Sequence, residues 1–423
     1  MVEMAVIAIV LFVGFSIFGV PIGWSIGISS IIALTIDGTF PLTIVPMRSI
    51  AGMNSFALMA IPFFILAGNI MTGGGLTARM LDISRAMVGW VKGSISIICI
   101  VGSSFFSLIT GSAIATASAV GGMTIPEMIK EKYDRSYAAA VAAGAAICGL
   151  LIPPSIPLIV YASITGISVR SLFVGTIGPG VLYTIGILVV AYLIARKRGY
   201  RTHERASMKV LMQVTKKGAL AVLMPIIVLV CIFGGITTPT EASVIAVAYS
   251  LIVTCFVYKE MTLKKLYKIF YDSAITTAIM FIMIGISMSL GWIIAISNIS
   301  NILASWILGV TYNQIAIIAM IMIIGLLFGS ILDVNVAILI LTPVLLPLAA
   351  ALDYTPTEFG VIFVTLMCLG HVTPPVAASM LLTNTIAGAN ITKTIVQALP
   401  FLFVGICVVI LSFIFPQIIS FLL

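Results

Sequence analysis

The chain has 423 residues, 61% hydrophobic and 8% charged, with 21 Lys and Arg against 13 Asp and Glu and a net charge of +8. Repeated apolar runs of about 20 residues mark an all-α polytopic membrane protein and exclude a soluble one. The basic residues cluster in short stretches between the apolar runs, so they report topology rather than a nucleic-acid surface, and no nucleic acid is expected as a partner.

The opening MVEMAVIAIVLFVGFSIF has neither a basic leader nor a small-residue cleavage site, and it reads as a first span rather than a removed signal. Spans are expected at about 4–18, 21–36, 54–72, 94–128 as two limbs, 137–166 interrupted, and 174–195. A second series follows at about 219–234, 239–258, 272–296, 313–350 as two limbs, 359–388 interrupted, and 396–416. Landmarks recur between the series: Pro21 and Pro239 stand 218 residues apart, Ser112 and Ser330 218, Pro153-Pro154 and Pro374-Pro375 221, and Gly166 and Gly388 222. The spacing predicts an internal duplication, residues 1–200 and 219–423, joined by a cytoplasmic connector at 201–218.

If each two-limbed segment returns to its own side, each half crosses the membrane five times. About ten crossings result, and the odd number inverts the second repeat. With both termini outside, 19 of the 21 basic residues lie inside and only Arg48 and Arg170 outside, as the positive-inside rule requires. The limbs around Gly111 are about 17 residues, or about 25 Å of helix, which favours re-entrant hairpins over full crossings. Their turns, TGSAIAT and GSILDVN, hold no Lys or Arg, and irregular backbone at membrane depth is tolerated where it lines a cavity or is buried in protein. Two partly amphipathic segments lead into the hairpins, GGGLTARMLDISRAMVGWVK and ISNISNILASWILG. They read either as arms along the interface or as ordinary connectors.

Asp333, in GSILDVNVAILILTPVLLP with Ser330, Asn335 and Thr342, is the most telling polar residue. A carboxylate at bilayer depth costs about 2.5 to 3.5 kcal/mol and so faces a cavity, a partner or an ion; a solvated loop is the plainer alternative. GLLIPPSIPLIVY and LGHVTPPVAAS each place two prolines in mid-helix, which opens the helix and frees carbonyls. Each opened helix can face one hairpin tip, giving two sites of hydroxyl, amide and carbonyl oxygens suited to sodium. One would draw on Gly111, Ser112, Thr116 and the carbonyls of Ile152 and Pro153, the other on Gly329, Ser330, Asp333, Asn335 and Thr373.

Between the tips, Ser112 and Ser155 with helix N-termini suit an anionic substrate. Asp333 either completes the cation site or accepts hydrogen bonds from substrate hydroxyls. His371 reads as a proton relay or as a neutral imidazole bonded to a backbone carbonyl. Glu241 reads as a solvated cap, and Arg170 as solvated or facing an anion. The six cysteines stand singly and are expected to pack. No nucleophile motif surrounds Ser112 or Ser330, so an intramembrane hydrolase using His371 is a remote alternative and no enzyme is expected.

The run FFSLITGSAIATASAVGGMTIPEM followed by GAAICGLLIPPSIPLIVYASITGISVRSLFVGTIGPG resembles the large, DctM-like membrane subunit of tripartite ATP-independent periplasmic (TRAP) transporters, and the resemblance covers essentially the whole chain. It departs at Ala377, where glycine is expected, and at His371. The resemblance implies elevator-type scaffold and transport domains in a bacterial inner membrane, and the two oxygen-lined sites read above lead to an expectation of at least two Na+. It also implies a small four-helix (DctQ-like) membrane subunit, not fused here, and a periplasmic substrate-binding protein. The implied substrate is an organic anion, a C4-dicarboxylate or sialic acid, with general similarity leaning to sialic acid. A stand-alone sodium- or proton-coupled dicarboxylate or citrate carrier shares every feature above, and a passive channel is the other transport alternative.

Overall fold

The computed structural model describes the chain apart from residues 201, 203, 204, 311, 312 and 422, and apart from the side chains of 306, 308 and 310. Arg201, His203 and Glu204 of the expected cytoplasmic connector, and the side chains of Trp306 and Leu308 in the second expected arm, lie outside the described residues. The described chain is helical throughout with no strand. That follows from its composition, because a backbone surrounded by hydrocarbon must satisfy its own polar groups within each segment. Eight helices among the described residues are long and apolar enough to cross a membrane.

Two helices begin well before their apolar runs, at Met208–Phe233 and Leu263–Ile296. Ser207 and Thr262 cap them by accepting the N–H groups of Val210 and Lys265, so each helix starts with a Lys-bearing turn ahead of its apolar run. At 34 residues, the second is about 51 Å long, well beyond a hydrocarbon core of about 30 Å.

Ile44–Met53 is a further helix that no apolar run announced. It buries Val45, Ser49 and Gly52 on one face against Leu263–Ile296, where a Cβ at position 52 would stand 2.4 Å from Met288 Cγ.

The first expected arm is the helix Leu76–Val88, turned 70° from Ala60–Gly73 at Gly75, whose φ of +72° suits glycine. Its apolar face, with Leu76, Met80 and Leu81, is buried. On its outer face Arg79 pairs with Glu260 and lies 3.9 Å from the centre of the Tyr258 ring. The guanidinium holds the Glu260 carboxyl below its usual range, so the pair stabilises the fold above the ordinary glutamate value of about 4.3 and is lost as pH falls through the lower folded value. Because the pair is partly exposed, Glu260→Gln is expected to cost under about 1 kcal/mol at pH 7 and nothing once pH lies below both values, read as the difference between melting temperatures across that range.

The two interrupted helices sit at the centre. Arg135–Thr165 is 94% buried over its apolar window, against 28% for Val169–Arg198. The alanine-rich run RSYAAAVAAGAA lets neighbours approach closely, and the hydroxyls of buried Tyr137, Tyr161 and Tyr183 donate to the carbonyls of Ala191, Pro356 and Gly144. The sequence landmarks also share local geometry. Gly166 and Gly388 both end helices in the left-handed region, and the Pro153-Pro154 and Pro374-Pro375 bonds are both cis.

Candidate functional site

The helix Ser94–Thr110 stops at Gly111, which adopts φ +59°; a Cβ there would stand 2.8 Å from the Pro154 carbonyl oxygen. Ser112 is extended, and its Oγ accepts the Ala115 N–H at 3.4 Å while its carbonyl accepts the Thr116 hydroxyl at 2.8 Å. Thr116 Oγ1 lies 3.4 Å from Thr110 Oγ1. Facing them on the opened helix is Gly149, where a Cβ would sit 2.5 Å from Thr116 Oγ1 and 2.7 Å from the Ser112 carbonyl. The structure thus brings Gly111, Ser112 and Thr116 together with the break in the next helix, and the break carbonyl at Gly111 belongs to Pro154. Ile152 and Pro153 line a separate cavity of about 370 Å³ whose walls are apolar except for Ser104 and Thr184. Ser155 is fully buried, its Oγ has no hydrogen-bond partner, at a cost of about 1 to 3 kcal/mol, and it is not among the residues that line the cavity between the tips.

The second tip lies between Gln314–Ile331 and Val334–Ala351. Here two backbones meet: a Cβ on Gly370 would fall 1.9 Å from the Gly329 carbonyl oxygen. The Ser330 carbonyl accepts the Val376 N–H at 3.1 Å, and the Ser330 hydroxyl donates to Leu327. Asp333 caps the second limb, its Oδ1 accepting from the Asn335 backbone at 2.9 Å and side chain at 3.1 Å. Asn335 Oδ1 is buried without a partner. Thr373 is half-buried and donates to the Leu369 carbonyl. His371 Nδ1 meets the Ser379 hydroxyl at 3.0 Å, a side-chain partner from the far side of the break in place of the expected backbone carbonyl. Ala377 takes φ +47°, which explains why glycine is the residue expected there: the left-handed region costs a side chain about 1 to 2 kcal/mol.

Both tips open into one cavity of about 330 Å³, which Gly111, Ser112, Asp333, Asn335 and His371 line together with Asn69 and Thr276. No Lys or Arg is among its lining residues. A smaller cavity of about 190 Å³ continues past Asp333 and His371 to Gly329 and Ser330. Asp333, Val334 and His371 line both. The arrangement offers hydroxyls, amides, one carboxylate and a helix start, a set fit for holding a polar ligand with a hard cation beside it.

The family model described as tripartite ATP-independent periplasmic transporter, DctM component, matches residues 9–418. The chain belongs to that family. This DctM component is 35% identical over 405 residues to the isethionate TRAP transporter permease protein DctMQ of Oleidesulfovibrio alaskensis, covering 96% of this chain and 64% of that one. It is 31% identical to the sialic acid TRAP transporter large permease protein SiaM of Vibrio cholerae, covering 94% and 93%. It is also 31% identical to the C4-dicarboxylate TRAP transporter large permease protein DctM of Pseudomonas aeruginosa, covering 90% and 89%. Its fold resembles the YdaH transporter of Alcanivorax borkumensis, with a TM-score of 0.62 and 13% identity over 97% of this chain and 98% of that one. These relatives are transport permeases rather than enzymes, and the DctM component is a multi-pass membrane protein of a TRAP-type organic acid transporter family.

Asn69 and Thr276 join the cavity wall of the DctM component from outside the hairpins and broken helices. Asn69 Nδ2 donates to Ser273 Oγ at 2.8 Å, tying Ala60–Gly73 to Leu263–Ile296 at the cavity edge. The sequence signal was a lone amide in the apolar run IPFFILAGNIM, the kind of residue that seldom lies in a span without a polar partner. Glu241 does act as a cap, accepting the Thr238 N–H at 2.7 Å. Arg170 donates to the Phe233 carbonyl.

Proposed function

We propose that this DctM component is the large permease of a sodium-coupled secondary importer of an organic anion in the bacterial inner membrane. It receives its substrate from a periplasmic binding protein and is braced by a small four-helix membrane subunit, with surrounding lipid and both termini on the periplasmic side. The observation that carries this reading is the single cavity shared by Ser112 of one tip and Asp333 of the other. With no Lys or Arg in its wall, the anion is held by hydroxyls, amides and helix starts, and its charge is balanced by sodium at the two tips. The matched landmarks support two inverted repeats, with the hairpins and broken helices moving as a transport domain against a scaffold formed by the longer spans.

Energetics favour two ions. Each sodium moving down about 100 mV and a tenfold gradient releases about 2.3 plus 1.4 kcal/mol, while a monoanion moving inward opposes about 2.3. One sodium leaves about 1.4 kcal/mol, or tenfold accumulation; two leave about 5, or several thousandfold. The substrate class follows the relatives' names, with sialic acid, C4-dicarboxylate and isethionate as the panel to test.

Proteoliposomes holding this chain with its small subunit are expected to accumulate one of these anions only when an inward sodium gradient and the loaded binding protein are both supplied. Uptake with the binding protein left out would favour a stand-alone carrier. Uptake driven by protons alone would remove sodium from the reading.

A further inference from the structure

A second pocket of about 320 Å³, lined mostly by apolar side chains, contains Arg48, Ala51, Ile164, Trp292, Leu339 and Pro343 in its wall. Three elements run from the central cavity to it in the same sense. Leu263–Ile296 passes from Met280 in the central wall to Gly291 and Trp292, Val334–Ala351 from Asn335 to Pro343, and Ile156–Thr165 from Pro157 to Ile164. At 1.5 Å per residue these steps are about 16, 12 and 10 Å, so the pocket is displaced from the cavity along all three helices at once. The displacement points away from the Lys-rich start of Leu263–Ile296, and so toward the side on which charge counting leaves only Arg48 and Arg170.

Arg48 is exposed, and its guanidinium lies 5.1 Å from the centre of the Trp292 ring. Trp292 is itself braced edge-on by Phe40 at 5.2 Å. Among the described residues no carboxylate lies within ion-pair distance of Arg48. Stacking on an aromatic face fixes a guanidinium without neutralising it and leaves its planar N–H fork free for an oxyanion. The central cavity has no Lys or Arg in its wall and this pocket has Arg48, an ordering that suits capture of an anion first and transfer to a less basic site second.

We propose that the Arg48–Trp292 pocket is an outer anion-binding station, which takes the carboxylate or sulfonate of the substrate before it reaches the cavity between the tips. This rests on the importer reading above for its direction, and its test separates the two.

In Ala51→Cys protein, with labelling of the parent chain subtracted for the six native cysteines, an anionic methanethiosulfonate (sulfonatoethyl) is expected to react faster relative to a cationic one (trimethylammonioethyl) when Arg48 is present. Arg48→Gln in that background is expected to lower the ratio about fivefold at low salt, with the difference fading as salt rises. Excess N-acetylneuraminate, succinate or isethionate, whichever is transported, is expected to slow labelling when Arg48 is present and to leave it unchanged in the Arg48→Gln protein. In uptake assays Arg48→Gln is expected to raise the half-saturating substrate concentration about tenfold with the maximal rate within about twofold, and Arg48→Lys to recover part of the loss. A labelling ratio indifferent to Arg48, or protection by none of the three anions, overturns the station even where sodium-driven uptake is intact. Arg48-dependent labelling and protection without sodium-driven uptake would uphold the station while removing the sodium coupling.

Discussion

Asp333→Asn is expected to abolish coupled uptake in protein that still inserts and melts as the parent does. The two substitutions at this position separate charge from architecture. Asp333 Oδ1 accepts the Asn335 backbone and side-chain N–H groups, and an asparagine carbonyl can keep that cap. Alanine cannot, and loss of an N-cap costs about 1 kcal/mol. Asp333→Ala should therefore be less stable than Asp333→Asn, while both lose coupled uptake by about a hundredfold or more, because each removes the carboxylate charge from the cavity wall. Uptake is measured under an imposed sodium gradient and stability by melting in detergent. Parent-like uptake by Asp333→Asn would show that the carboxylate charge takes no part in coupling and that Asp333 serves only as a cap.

The parts of this fold legible in the sequence are those where a physical constraint acts locally. Apolar length placed the spans, because hydrocarbon thickness sets how many residues a crossing needs. The double prolines located the breaks, because a missing N–H and a ring clash act within one turn, and the glycine and hydroxyl clusters at Gly111 and Gly329 located the tips. Helix ends beyond the apolar layer were not legible from hydropathy. Met208 and Leu263 lie outside their apolar runs, and their caps at Ser207 and Thr262 are common residues with many other uses. The cavity wall was half legible. Asp333 stands out by charge, but Asn69 and Thr276 come from helices whose adjacency is set by tertiary packing. A polar residue in an apolar run does not by itself tell which neighbour its face meets. For the same reason the partner of His371 could not be read from the chain: Ser379 is eight residues on, and only the backbone path through Thr373 and Ala377 brings its hydroxyl back to the ring.

The crossing of Gly329 and Gly370 makes the other large prediction. A methyl group on Gly370 would meet the Gly329 carbonyl oxygen at 1.9 Å and its carbonyl carbon at 2.2 Å. Both are backbone atoms, so no side chain can swing aside. Relief requires the second tip to move away from the broken helix, and overpacking of this kind costs about 1 to 3 kcal/mol or more. That movement would also pull Ser330 from the Val376 N–H it bonds at 3.1 Å and widen the small cavity reaching Asp333 and His371. Gly370→Ala is therefore expected to melt lower than the parent and to lose uptake by about tenfold or more. The control is Gly14→Ala, because nothing lies within 4 Å of a Cβ there and alanine is the better helix former. It should insert, melt and transport as the parent does. If Gly370→Ala behaves like that control, the close crossing is not required for transport, and the second tip tolerates a displacement that its proposed role in binding a cation would forbid.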